Sequence, residues 1–251
     1  MFATSSAASI NKAPIPFTTA PVKTESRRVE HSGDTLFGLR YHARDFLEPL
    51  APAATNIQVH RDGDIIAQGD RAEYCFQVVT GCVRTVRLLE DGRRQVGEFL
   101  LPGDIFGWEM AGAHEFAAEA VTPATLRRFR LGTIEERADK DRVFAHHMRR
   151  YTAEQVRTAR GRLVLLGRKT AAERIASFLL EMHERLRCSG AAAFELPMSR
   201  ADMADYLGLT IETVSRGLTE LRRRGTIAVE RTRIAIHDGH ALGVAGYDRL
   251  H

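Results

Sequence analysis

The spacing of apolar residues changes near position 140, and this change constrains the fold more than any other feature of the chain. Before it, glycine recurs at Gly63, Gly69, Gly81, Gly92, Gly97, Gly103 and Gly107. Between these turn signals lie short runs rich in branched and aromatic residues: Tyr74 to Thr80, Cys82 to Leu89, Gln95 to Leu101 and Leu126 to Arg130. Many short strands separated by turns imply a jelly roll or sandwich. Glu90-Asp91-Gly92-Arg93 reads as a hairpin turn, and Leu101-Pro102-Gly103-Asp104 as a second, where proline presets φ and glycine accepts a positive φ.

After the change, no proline interrupts the chain from about Asp141 to Gly167, and apolar residues advance in steps of three and four. Phe144, Met148 and Tyr151 form one group; Val156, Ala159, Leu163 and Leu166 form a second with the 3-4-3 spacing of a coiled-coil seam, out of register with the first. The segment is too polar for a core helix, so its seam reads as a surface for self-association, against the alternative of packing on its own domain. A further helix is expected over Ala171 to Leu186, followed by a loop from Cys188 to Leu196.

The 251 residues, 44% of them apolar, suffice for two modest domains. The formal charge of +4 is a poor guide to partners: residues 139–169 carry nine basic and three acidic side chains, whereas 170–251 carry eleven of each. Cys75, Cys82 and Cys188 form no CxxC pair, which argues against a disulfide framework or thiolate metal site and favours a reducing cytosol. No apolar run approaches the roughly 20 residues of a membrane span, so no membrane partner is expected. The Ser-, Thr-, Ala- and Pro-rich start does not read as a signal peptide. The expected division is a flexible arm over 1–38, a jelly roll over 39–138, a dimerisation helix over 139–169 and a DNA-binding domain over 170–251.

Chemistry concentrates after Pro197. Ser199 is placed to cap a helix, with Asp202 completing a box-like first turn. That helix stops at Leu207-Gly208, and Thr210 caps the next, which runs to about Arg224 and ends at Gly225. Small Ala204 permits close helix approach, Gly208 accepts the turn's positive φ, and Leu207, Val214, Leu218 and Leu221 fill the wedge. This is helix-turn-helix spacing, which an ordinary helical hairpin can imitate. Ile211, Glu212, Ser215, Arg216 and Thr219 are left facing outward. Glu212, Ser215 and Arg216 stand at i, i+3 and i+4, on one strip near the helix start, where arginine can pair with guanine and glutamate can accept from cytosine. Thr210, Thr213 and Arg200 suit backbone phosphates. The bland alternative for the strip is a Glu212–Arg216 surface ion pair. Arg222-Arg223-Arg224 can neutralise phosphates or interact with the helix dipole. Thr226 to Val229 and Arg233 to Ile236 read as the strands of a wing.

Taken together, YCFQVVTGCVRTVRLLEDGRRQVGEFLLPGDIFG, the long helix and LPMSRADMADYLGLTIETVSRGLTELRRRGTIAVERTRIAIHDG resemble the CRP/FNR superfamily of bacterial transcription regulators, over about Tyr41 to the C-terminus. Within it the chain is most similar to the FixK group of the FNR branch. The resemblance implies an α+β fold: an N-terminal jelly-roll sandwich like a cyclic-nucleotide-binding domain, a long dimerisation helix and a C-terminal winged helix-turn-helix. It also implies a homodimer on double-stranded DNA with TTGAT-type inverted repeats, contact with RNA polymerase, control of low-oxygen or nitrogen-related genes, and base reading by Glu212, Ser215 and Arg216.

Two departures bear on sensing. Cyclic-nucleotide-binding members carry an Arg-Ser pair after a glycine-rich turn, but GWEMAGAHEFAAEA, Gly107 to Ala120, has neither residue, which argues against cyclic-nucleotide binding in the usual manner. Oxygen-sensing iron-sulfur members carry N-terminal cysteines, and none precedes Cys75 here. No cofactor or metal is therefore expected. Cys75 and Cys82 read as buried structural thiols, whereas Cys188, near Arg185 and Arg187, is a candidate redox thiol. His60 and His114 read as surface or hydrogen-bonded groups, His146-His147 as a poor chelate, and Phe106 and Trp108 as core. An enzyme of cupin type would need an HxH motif, which the sequence lacks. The remaining alternatives are a haem-dependent nitric-oxide or redox regulator of the same superfamily, and a ligand-binding regulatory module that does not touch DNA.

Overall fold

The computed structural model describes residues 44–109, 112–186 and 193–245. The arm expected over 1–38 and the candidate thiol Cys188 lie outside them.

Eight antiparallel strands make a two-sheet sandwich. One sheet has the order β1 (Thr55–Val59), β8 (Ala124–Arg130), β3 (Tyr74–Thr80), β6 (Ile105–Phe106), and the other β2 (Asp64–Ile66), β7 (Ala117–Ala120), β4 (Val83–Leu88), β5 (Arg94–Leu100). The expected runs are present, β3 residue for residue. Of the strands outside those runs, β2 and β6 have only three and two residues and β7 lacks branched residues, whereas β1 carries Thr55, Ile57 and Val59. Inward-facing Phe76, Val78, Val83, Leu100, Phe106 and Leu126 fill the space between the sheets. Both anticipated turns close as expected: Leu89 N–H donates to Arg93 O at 2.9 Å with Gly92 at φ +82°, and Asp104 N–H to Leu101 O at 2.9 Å with Gly103 at φ +101°. Cys75 and Cys82 are buried within the fold, and burial pushes both thiols up to about 12, so they are inert structural groups.

Helix α1 (Arg44–Leu47) and a 3-10 turn, Glu48–Ala53, precede the sandwich, and α2 (Leu131–Lys140) leaves it directly from β8. No periodic apolar face announced α2, because Leu131 and Ile134 are its buried residues. The long helix α3 spans Arg142–Arg168, capped by the Asp141 carboxylate, which accepts from the amides of Val143 and Phe144 at 2.9 and 3.1 Å. Its two apolar groups have different environments. Phe144, Met148 and Tyr151 are buried beside Phe46, and the Tyr151 hydroxyl donates to Ile105 O at 2.9 Å. Val156 is 46% exposed and Leu163 74% exposed.

Beyond α3 lie α4 (Ala171–Leu186), β9 (Ala193–Glu195), α5 (Arg200–Leu207), α6 (Ile211–Arg223), β10 (Ile227–Glu230), β11 (Arg233–Ile236) and α7 (Gly239–Ala245). The sequence reading of Cys188 to Leu196 as a loop is corrected: Ala193–Glu195 is a strand on the far edge of the wing, giving the order β10-β11-β9. Its three residues become a strand through pairing with distant β11, a tertiary effect without local signal. Rings of Phe99 on β5, Phe178 on α4 and Tyr206 on α5 meet at centroid separations of 5.1 to 6.1 Å, so the sandwich and the C-terminal domain share one apolar core.

Gly81, at φ +86°, turns β3 into β4, and a Cβ there would lie 2.8 Å from Ala124 Cα and against the Pro123 carbonyl. The Pro123–Ala124 backbone cannot yield cheaply, so Gly81→Ala is expected to lower unfolding free energy by about 2 to 4 kcal/mol, measured by urea denaturation.

Candidate nucleic-acid interface

Helices α5 and α6 form the expected helix-turn-helix. Ser199 Oγ accepts from Asp202 N–H at 3.1 Å, while the Asp202 carboxylate accepts from Ser199 N–H at 3.1 Å and Oγ at 2.7 Å, a complete capping box. Gly208 ends α5 at φ +62°. Thr210 caps α6 through Oγ1, which accepts from Thr213 N–H at 3.2 Å. Ala204, Leu207, Val214, Leu218 and Leu221 are buried in the wedge. Val214, Leu218 and Leu221 fix the rotation of α6, so the opposite side faces out.

On that side Ile211, Glu212, Arg216 and Thr219 are exposed and Ser215 is half-buried. The helix amide at its own position, the Thr210 hydroxyl and the Arg216 charge all hold the Glu212 carboxyl below the usual carboxylate range. Glu212 is thus a fixed acceptor. No hydrogen bond or salt bridge joins it to Arg216 among the described residues, so the guanidinium is not tied up in the surface pair weighed as an alternative. Arg200, expected as a phosphate contact, sits closer to the reading strip than anticipated: its Nη1 donates to Ser215 Oγ at 3.3 Å. Ser215, Arg216, Thr219 and Glu220 line a shallow surface depression.

The triple arginine has an intrahelical partner besides the two roles weighed for it. Glu220 accepts from Arg223 Nε and Nη2 at 2.9 Å each and from Arg224 Nε at 2.7 Å, and these bonds push its carboxyl down to about 2. Two of the three cations are therefore partly neutralised inside the helix, and Arg222 is left exposed.

The structure also shows arginine contacts around α5 that the sequence reading missed, because most of their partners are far away in the chain. Arg174 at the start of α4 donates to Lys169 O, Leu207 O and Leu166 O at 3.0, 2.9 and 2.7 Å. Arg162 on α3 donates to Val96 O and Tyr206 O at 3.3 Å each and stacks 4.1 Å over the Tyr206 ring. Asp202, 4% exposed, takes Arg84 Nη1 at 3.1 Å and Arg94 Nη2 at 3.0 Å, and Asp205 takes Arg94 at 2.7 Å. A lone arginine in a strand or at a helix start carries no mark of such a role.

In the sandwich, a cavity of about 630 Å³ lies between β5, the segment after β6 and α3. Phe106, Trp108, Phe116 and Tyr151 give it an aromatic wall, and Arg162 is the one cation among its described lining residues. Trp108, expected in the core, is half-buried on this wall. Nη2 of Arg162 is already donated to the Val96 and Tyr206 carbonyls, and no second cation lies among the described lining residues. His114 is buried with Nδ1 2.7 Å from Glu109 Oε2, and His60 is exposed beside Arg61 O. No group of three or more potential ligands among the described residues could hold a metal ion. No described helix is long and apolar enough to cross a membrane.

Comparison with known proteins decides the family. Residues 173–244 match the Crp-like helix-turn-helix domain family, and residues 57–141 match the cyclic nucleotide-binding domain family. The nitrogen fixation regulation protein FixK of Rhizobium meliloti is 44% identical over 192 residues, spanning 74% of this chain and 87% of that protein. The chain belongs to the FixK-like branch of the CRP/FNR family. The transcriptional activator protein FnrL of Cereibacter sphaeroides is 39% identical over 178 residues, 68% of this chain and 72% of that one. The solved structure of FixK2 from Bradyrhizobium japonicum superposes with a TM-score of 0.73 at 43% identity, covering 76% of this chain and 96% of that chain. The winged helix-turn-helix is accordingly the DNA-binding domain of a CRP/FNR-type transcription regulator.

Releasing Arg223 and Arg224 should let both reach phosphates. Glu220→Gln is expected to steepen the slope of log affinity against log salt on a non-specific duplex by about 1 to 2 units, read by fluorescence anisotropy across a salt series.

Proposed function

We propose that this chain acts as a homodimer on inverted-repeat DNA with TTGAT-type half-sites, and that it activates transcription of low-oxygen or nitrogen-related genes through contact with RNA polymerase. The observation that carries the reading is the exposed strip of α6. Glu212, Ser215 and Arg216 stand together at the N-terminal end of a helix whose other side is locked in the wedge, which is the arrangement needed to enter a major groove. Arg216 and Glu212 supply the donor and acceptor for base edges; Thr210, Thr213 and the helix N-terminus supply phosphate contacts. Arg200, bonded to Ser215, serves a phosphate on this reading, and its hydrogen bond to the strip supports that role.

The dimer is supported by α3. Its upstream apolar group is consumed by its own domain, while Val156, Ala159 and Leu163 are exposed on the remaining seam, an apolar stripe that a second copy of the same helix would cover. A two-fold dimer reads a palindrome. The names of the FixK relatives support nitrogen-related targets, and that of FnrL supports activation.

Arg216→Ala is expected to cost about 1 to 3 kcal/mol at the specific site and to relax base preference at the position it reads. Titration of both proteins against specific and random duplexes checks this; equal discrimination by the two would overturn the assignment. Leu163→Asp is expected to yield a monomer by light scattering, with helical circular dichroism retained and inverted-repeat binding lost.

A further inference from the structure

Helix α5 is only eight residues long, yet arginines from four other elements hold it. Arg84 on β4 and Arg94 on β5 converge on Asp202 in its first turn, Arg94 also reaches Asp205 in its last, and Arg162 on α3 and Arg174 on α4 take the carbonyls of Tyr206 and Leu207 at its end. The side chains of Asp202 and Arg84 are 5% and 12% exposed, so that pair is shielded from solvent and geometrically demanding, while Arg94 and Asp205 form a half-exposed pair beside it. The docking surface is the side of α5 turned away from the reader: Arg200, Glu212 and Arg216 remain exposed while Asp202 and Tyr206 are covered. The contact therefore orients the reader without masking it.

The same helix is tied to the apolar seam. Arg174 joins Leu207 O to Leu166 O, and Leu166 is the last residue of the seam group that begins at Val156. The angle of the reader is thus referenced through the two aspartates to the sandwich and through the C-terminal carbonyls to the α3 surface on which two copies would meet. The α3–α4 joint is the short Lys169-Thr170 step, with Lys169 in extended conformation, and offers a pivot once those references are removed.

We propose that Arg84 and Arg94 are positioning residues for DNA recognition: through Asp202 and Asp205 they set the separation of the two readers, and so the spacer between half-sites that the protein accepts. This rests on the dimeric inverted-repeat reading above. Neither arginine belongs to the base-reading strip, so their removal alters where the reader sits and leaves what it reads unchanged.

The test uses the full chain and a panel of inverted repeats with the spacer lengthened or shortened by about one or two base pairs, together with a single half-site duplex. Wild type is expected to bind one spacer best. In Arg94→Gln and Arg84→Gln, the penalty for a wrong spacer is expected to shrink by about threefold or more while single half-site affinity stays within about twofold of wild type. Arg94→Asp should loosen the profile likewise, and adding Asp205→Arg should tighten it again. A variant profile that superimposes on wild type overturns the proposal, as does a double exchange no tighter than Arg94→Asp alone. A parallel fall in half-site affinity also overturns it, because the arginines would then support the reader's own fold. Should Arg84→Gln fail to fold, Arg94→Gln and the exchange pair still decide the matter. A wild type with no preference for the repeat over a single half-site removes the dimer reading, and this inference with it; a wild type with that preference and an insensitive Arg94→Gln removes only the inference.

Discussion

The arginine frame around α5 is the constraint on which the rest of the molecule depends. A helix of this length is not stable by itself, and its terminal amides and carbonyls need partners from elsewhere. Ser199 and Asp202 satisfy the first turn, Gly208 shapes the exit, and Arg162 and Arg174 accept the task of the last carbonyls. Because these arginines come from α3 and α4, local helix capping and domain assembly are one event. The same economy appears at Asp202, whose carboxylate closes the capping box with one oxygen and receives two strand arginines on the other.

Apolar packing lies beneath this polar frame. The triangle of Phe99, Phe178 and Tyr206 brings together a sandwich strand and two helices of the reader domain, and its aromatic edges pack at distances typical of tilted and edge-to-face pairs. Burial supplies the adhesion, and the charged pairs supply the angle. A seam of apolar residues alone would allow the reader to roll across β5, whereas forked guanidiniums tolerate little rotation.

The parts of this architecture that were legible in the sequence are those governed by local rules. The capping box at Ser199, the left-handed Gly208, the buried Val214 and the exposed Arg216 all follow from spacing within about ten residues, and the long strand β3 follows from its run of branched and aromatic side chains. Strand β9 and helix α2 were not legible, the first because its pairing partner lies far along the chain and the second because it buries few residues. Arg84, Arg94, Arg162 and Arg174 resemble surface arginines in the sequence, and only the fold shows that each ends on α5. The Glu220 pairing was within reach of sequence reasoning, since Arg223 and Arg224 stand at i+3 and i+4, beside the two roles, phosphate contact and helix-dipole interaction, that three adjacent arginines suggest.

The split character of α3 has a consequence for how such a regulator responds in a cell. One half of the helix is saturated by its own sandwich, and the other leaves Leu163 in water. On the dimer reading, the abundance of the protein is itself an input: below the dimer dissociation constant, a modest rise in synthesis raises the concentration of DNA-competent pairs with the square of the monomer, so a gene-dosage change is amplified before any small molecule or partner acts.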